Sequence, residues 1–132
     1  IRDRQRPKSV WQLHGAGAVG GQTILGVAMV RRLVESWGET VAVWPFGTGW
    51  KALTAADIEP LTVVVAEVWP SLQPLKQEPG EVKDAAQVRI LSQHLMRLDD
   101  KDQLGPLFAP QKPADAALTA QVESEEGWIL GV

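Results

Sequence analysis

The amino-acid sequence predicts an α/β domain in which a mainly parallel β-sheet is flanked by helices. Segments with apolar residues at helical spacing alternate with short β-branched runs, and the connections between them are short. Residues 61–68 (LTVVVAEV) form the clearest strand, because the run is apolar on both faces, as is typical of a buried parallel strand. Residues 41–44 (VAVW) form a second strand that ends at Pro45. We expect these two strands to lie side by side.

Two long helices are predicted around these strands. Residues 23–37 carry apolar side chains three or four positions apart, and Gly38 stands where a left-handed C-terminal cap belongs. Residues 81–98 repeat this spacing. The predicted core-facing positions are Ile24, Val27, Val30, Val34 and Trp37 in the first helix, and Ala85, Val88, Leu91, Leu95 and Leu98 in the second. We also expect a helical turn over residues 52–57, a third helix over residues 114–123, and an apolar segment at residues 128–132 that docks on the core.

Size and composition restrict the class of protein. The chain has 132 residues, 45% hydrophobic and 22% charged, so residues 1–132 are predicted to form one α/β domain or the C-terminal portion of one. The sequence contains no cysteine, so it offers no disulfide, thiol nucleophile or zinc–cysteine site. The longest apolar run is too short to cross a bilayer, and no stretch resembles a signal peptide. These features predict a cytoplasmic protein without a membrane partner.

The charge of the chain is unevenly distributed. The net charge is −3, which argues against broad nonspecific binding of nucleic acid. Four of the thirteen basic residues nevertheless fall in a predicted N-terminal arm, residues 1–9, at Arg2, Arg4, Arg6 and Lys8. This arm is interpreted either as a contact for phosphate groups or as a solvated segment that leads into the fold.

A glycine-rich turn precedes the first helix. The run from Gly15 to Gly20 (GAGAVG) fits the dinucleotide fingerprint, in which backbone amides and a helix N-terminus hold a pyrophosphate. The segment before it carries the polar residues Gln12 and His14, and the strand at residues 41–44 ends without an acid for the ribose hydroxyls. A nucleotide site and a tight turn that packs the helix closely on the sheet are therefore both kept as interpretations.

Three carboxylates carry the main hypothesis about chemistry. Glu67 stands near the carboxyl end of the strongest strand, where open α/β sheets form their clefts. Glu81 and Asp84, three positions apart, share one face of the turn that opens the second long helix. A strand-end carboxylate with helix carboxylates suits Mg²⁺ or Mn²⁺ in phosphoryl transfer. The structural alternatives are a Glu67 bonded to a neighbour, and acids that stabilise the helix N-terminus.

The chain also contains six tryptophans, most of which are expected in the core. Trp50, in a glycine-containing loop, and Trp69, just after Glu67, are the two that we expect to be placed for stacking on a base or another ring.

Two short motifs resemble those of a large family of uncharacterised proteins described as predicted nucleases with a ribonuclease H-like fold. Residues 66–71 (AEVWPS) resemble its E-V-x-P-E signature, and residues 81–85 (EVKDA) are similar to its later D-x-x-D-A helix motif. Residues 82–99 and 125–131 look like a bacterial subgroup of that family. The resemblance implies a divalent-metal nuclease with Glu67 and Asp84 as catalytic residues. It also implies Glu67, Glu81 and Asp84 as ligands of Mg²⁺ or Mn²⁺, and a nucleic acid or nucleotide as partner.

The chain departs from the family pattern in ways that shape the prediction. The family begins with an acid on a first strand, and no such motif precedes Val10; Ser71 and Glu81 replace a glutamate and an aspartate. The ribonuclease H-like fold also needs three N-terminal strands. We therefore expect the C-terminal part of a longer protein, incomplete as an enzyme. The alternatives are a noncatalytic binding or assembly module and a nucleotide-binding domain that uses the glycine turn; the sequence predicts no oligomeric state.

Overall fold

A computed structural model of the protein describes residues 12–15 and 18–132. The basic arm at residues 1–9 and two residues of the glycine turn, 16 and 17, lie outside the described part. Within it, helices and strands alternate as predicted. The elements are α1 (Gly20–Trp37), β1 (Val41–Val43), α2 (Ala55–Ile58), β2 (Val63–Val65), α3 (Lys83–Asp99) and α4 (Ala116–Gln121).

The predicted parallel pairing of the two strands is confirmed. In the described part of the chain the sheet consists of β1 and β2, with Val41 opposite Val63 and Val43 opposite Val65. The N–H of Trp44 donates to the carbonyl of Val65 at 2.9 Å and extends the pairing by one step. The chain then turns at Pro45, which has no N–H to donate. The ordered strand β2 is therefore shorter than the apolar run at residues 61–68, because its partner ends first.

Helix α1 is longer than predicted but less buried. Its C-terminal cap has the expected positive φ, 60° at Gly38, whose N–H donates to the carbonyl of Val34. Val30 and Val34 are partly buried, whereas Ile24 is 62% exposed and Val27 is 63% exposed. The prediction of which α1 residues face the core is therefore only partly correct. A three-residue strand is ~10 Å long, whereas an 18-residue helix is ~27 Å long, so strands of this length are too short to cover the whole apolar face of α1.

The predicted core-facing positions of the second long helix are also only partly correct. In α3 the fully buried position is Ala86, while Leu91, Leu95 and Leu98 are partly buried. Val88, predicted to face the core, is 67% exposed. Within residues 12–15 and 18–132, no helix has the length and apolar character needed to span a membrane.

The core is built largely from loop and tail residues. Trp44, Trp50, Val122 and Leu130 form a buried cluster. The indole N–H of Trp44 donates to the carbonyl of Phe108 at 3.1 Å, and the two rings meet edge to face. Trp50 packs on Trp128 with ring centroids 4.8 Å apart, so Trp50 is a core residue and the prediction that it is available for stacking on a ligand is wrong.

The last segment docks on the core, as predicted. Asp115 caps α4 by accepting the N–H of Leu118 at 2.8 Å, and α4 continues into a π-helical turn, Val122–Glu126. That turn places the carboxylate of Glu123 2.6 Å from the backbone N–H of Trp50. The segment beyond it pairs with the chain two positions after β2, since the N–H of Leu130 donates to the carbonyl of Glu67 at 2.9 Å.

Candidate functional site

A groove of about 880 Å³ opens at the carboxyl ends of the two strands. One side of α1 forms its first wall, the residues that follow β1 and β2 form its floor, and the segment after the π-helical turn closes it. We call it the strand-end groove. Its lining side chains are mostly apolar or aromatic: Val19, Val27, Val30, Val43, Trp44, Phe46, Val65, Ala66, Val68, Trp69, Pro70, Trp128 and Ile129. The remaining lining residues are Gln22, Thr23, Gly26, Glu67, Glu126 and Gly127.

The position of the groove follows from the parallel pairing. Parallel strands end at the same edge of a sheet, so the residues after β1 and β2 meet there. Trp44 directly follows β1, and its indole is fixed by the carbonyl of Phe108. Glu67 follows β2 by two positions, and its backbone is fixed by an isolated parallel bridge to Ile129. The groove thus has walls from three separate parts of the chain.

The groove contains a carboxylate that is partly exposed and partly surrounded by apolar groups. Glu67 has an exposed surface, but desolvation by its apolar surroundings raises the pKa of its carboxyl above the ordinary value. No hydrogen bond from another described residue offsets this effect. The second ionisable lining residue is Glu126, also an acid. None of the described residues that line the groove is basic.

Glu81 lies in a different environment. Its carboxylate accepts two hydrogen bonds from the Arg89 guanidinium, from Nε at 2.8 Å and from Nη2 at 2.7 Å. The backbone N–H of Glu78 donates to the same carboxylate at 2.9 Å. The Arg89 hydrogen bonds, and then the Glu78 N–H, lower the pKa of Glu81 to about 2. Because Arg89 also donates to the carbonyl of Lys76 at 3.0 Å, this ion pair ties the loop before α3 to the helix.

The third predicted ligand, Asp84, is an exposed residue in the first turn of α3. Neither Asp84 nor Glu81 lines the groove that contains Glu67. Across the part of the chain that the structure describes, no three His, Asp or Glu side chains come together as a group able to hold a metal ion. The structure therefore does not assemble the three carboxylates into one site, and a Mg²⁺ or Mn²⁺ centre stays a prediction.

The described part of the glycine turn uses its amides internally. The N–H of Ala18 donates to the carbonyl of Gly15, and the N–H of Gly20 donates to the carbonyl of Gln12, both at 3.1 Å. Gln12 and Leu13 are not in a strand. Two of the amides that a pyrophosphate would use are thus already bonded, which favours the tight-turn interpretation at these positions.

Sequence reasoning missed several groove residues. Phe46 follows the turn at Pro45, and Glu126 and Trp128 come from the last segment of the chain. The sequence signals for these residues are weak. Phe46 is an aromatic residue shortly after a strand, and the apolar last segment predicts docking on the core but does not indicate the docking position. Trp69, in contrast, was expected to be available for a ligand and does line the groove.

No family model, curated protein or solved structure matches this chain. The resemblance to the predicted nucleases therefore stays a hypothesis that rests on the short motifs at residues 66–71 and 81–85 and the longer similarities at residues 82–99 and 125–131. Any functional argument has to be made from the geometry and chemistry of the groove itself.

Proposed function

We propose that this chain is a noncatalytic binding module, and that its strand-end groove takes a small molecule with an apolar body. The observation that carries the proposal is the groove itself, about 880 Å³ of concave space with apolar and aromatic lining and a carboxylate at the edge of the sheet. Sites for small molecules have this size and this mixture of many apolar groups with a few polar ones.

Binding explains the carboxylates better than hydrolysis does. A metal-dependent hydrolase needs several carboxylates around its ions. Here the oxygens of Glu81 are engaged by Arg89 and Glu78, and Asp84 lies outside the groove. That leaves Glu67 and Glu126 in a groove whose other lining residues are uncharged, which suits orientation of a ligand more than assembly of a metal centre.

The test uses N-phenylnaphthylamine, a neutral apolar dye that becomes fluorescent when it is bound. We expect saturable one-to-one binding. Gly26→Leu should abolish it, because Gly26 lines the groove and a Cβ there meets nothing within 4 Å. Gly21→Leu is the matched control, since Gly21 also has nothing within 4 Å of its Cβ but does not line the groove.

A second variant covers the case in which Gly26→Leu disturbs the fold. Phe46 is about half exposed and lines the groove, so Phe46→Ala should weaken dye binding and leave the circular dichroism spectrum unchanged. The proposal fails if the dye does not bind, or if these variants bind it as the original chain does.

One observation keeps the nuclease as a second candidate: Glu67 lies at the carboxyl edge of a parallel pair, in a chain with the order α1–β1–α2–β2–α3. This order supports the C-terminal part of a ribonuclease H-like fold. Incubation with Mg²⁺ or Mn²⁺ and RNA or DNA is the test, and we expect no cleavage because Glu81 is engaged by Arg89 and Asp84 lies outside the groove that contains Glu67. Cleavage that Glu67→Gln abolishes would establish the nuclease instead of the binding module.

A further inference from the structure

The charges at the strand-end groove have one sign. Glu67 and Glu126 are the two ionisable residues among the described residues that line it, and both are acids. An anionic ligand would meet like charges in the lining of the groove and would be repelled by them. A cationic ligand would instead neutralise them. Charge complementarity thus discriminates between ligands that have the same apolar body.

Aromatic side chains strengthen this preference. Phe46, Trp69 and Trp128 contribute aromatic rings to the lining, while Trp44, which also borders the groove, is buried in the core. The face of an aromatic ring carries negative electrostatic potential and attracts an ammonium group, most strongly when water is excluded. The same rings bury the apolar part of a ligand. A molecule with an ammonium group on an apolar body therefore uses both properties of the walls.

Glu67 accepts no hydrogen bond from another described residue, and its side chain is exposed in the groove. An ammonium group there would supply both an opposite charge and charge-assisted hydrogen bonds. The hydroxyl of Thr23, which also lines the groove, donates to the carbonyl of Val19 at 3.1 Å. The backbone of Glu67 is held by Leu130, whose N–H donates to its carbonyl.

We propose that the occupant of the strand-end groove is an organic ammonium ion with an apolar body, held by Glu67 and the aromatic walls. This inference rests on the proposed function and specifies its ligand class. The concave shape and a volume of about 880 Å³ favour a small molecule over a polypeptide.

The experiment compares three probes that share one phenylbutyl body: phenylbutylammonium, phenylbutanol and phenylpentanoate. Isothermal titration calorimetry measures each Kd directly, and displacement of N-phenylnaphthylamine checks that the probes enter the same groove. We expect the ammonium ion to bind about tenfold or more tightly than the alcohol, since a hydrogen bond to a charged group is worth that factor. The carboxylate should bind most weakly.

Glu67→Gln should remove the preference, lowering the affinity for the ammonium ion about tenfold while the alcohol binds as before. The matched control is Glu39→Gln, because Glu39 is an exposed acid that does not line the groove. This control should change none of the three affinities. Unchanged circular dichroism spectra and urea midpoints for Glu39→Gln, with a native spectrum for Glu67→Gln, show that the comparison is between folded chains.

The outcomes separate the two proposals. If the dye binds in the groove but the alcohol matches the ammonium ion, or Glu67→Gln has no selective effect, the ammonium inference is overturned and the binding module stands. If neither the dye nor any probe binds, both are overturned. A dimer that Gly26→Leu dissociates would show that a second copy of the chain occupies the groove, which also overturns the small-molecule assignment.

Discussion

At Gly105 two loops approach so closely that an added methyl group has no space. A Cβ built on Gly105 would lie 2.2 Å from the carbonyl oxygen of Leu53, a distance that real Cβ contacts do not reach. The same two residues are joined by a hydrogen bond, from the N–H of Leu53 to the carbonyl of Gly105, at 3.1 Å. Gly105→Ala must therefore move the two backbones apart, by roughly 1–2 Å to reach ordinary contact.

The size of the effect follows from the interactions lost. Separation of the loops costs about 0.5–1.5 kcal/mol for the hydrogen bond. Overpacking a site that has no free space adds about 1–3 kcal/mol. We expect Gly105→Ala to lower the free energy of unfolding by about 2–4 kcal/mol, which for a domain of this size lowers Tm by about 6–15 °C.

Urea unfolding followed by tryptophan fluorescence measures this change. Gly26→Ala is the control: it makes the same substitution in α1, where a Cβ meets nothing within 4 Å, and it should stabilise the chain by about 0.5–1 kcal/mol because alanine favours the helix. The reasoning is refuted if Gly105→Ala changes the free energy of unfolding by less than about 0.5 kcal/mol, the range of a neutral surface substitution.

Two further predictions concern the dependence of stability on pH, each measured as urea midpoints across an acid titration. The pKa of Glu67 is raised by folding, so its protonated form contributes to the free energy of unfolding below the unfolded pKa of 4.5, and this contribution is lost as pH rises through the folded pKa. Glu67→Gln should therefore be more stable than the original chain at neutral pH and equal to it in acid. The pKa of Glu81 is lowered by folding, so its ionised form contributes to the free energy of unfolding above pH 4.5, and this contribution is lost as pH falls towards about 2. Glu81→Gln should therefore be less stable than the original chain at neutral pH and equal to it near pH 2. Equal midpoints for Glu81→Gln and the original chain at neutral pH would contradict a structural role for the pair with Arg89.

The strand pairing could be predicted because it depends on local signals. A β-branched run that is apolar on both faces favours a parallel strand, and β2 lies inside residues 61–68. The prediction that this strand is buried is only partly correct, because Val63–Val65 are half-buried and β1 is the one strand that pairs with them in the described part of the chain. The ends of the strands could not be predicted in the same way. They depend on where the partner stops, and β1 stops at the turn that Pro45 begins.

The helices show a second limit of sequence reasoning. Apolar spacing of three and four predicts a helix and a face, and both long helices are present. It does not identify what covers that face. Ile24 and Val27 repeat with the correct period but are exposed in the described structure, and Val27 lines the strand-end groove instead of the core.

The candidate site was also only partly predictable from the sequence. Glu67 could be expected in a cleft because the carboxyl end of a parallel strand is where clefts form, and it lines the groove there. The engagement of Glu81 by Arg89 was not expected, because the two residues are eight positions apart, whereas neighbours on a helix are three or four apart. Glu81 precedes α3 rather than belonging to it, so helical spacing did not apply.

The last segment of the chain links the stability of the fold to the groove. Its Leu130 is buried in the core cluster and donates its N–H to the carbonyl of Glu67, while Trp128 contributes both to the groove wall and to the contact with Trp50. The same few residues therefore complete the core and form the site. A ligand that binds the groove only when this segment is docked stabilises the docked state by its own binding free energy. A substitution that weakens the docking of the last segment should for this reason also weaken ligand binding in the groove.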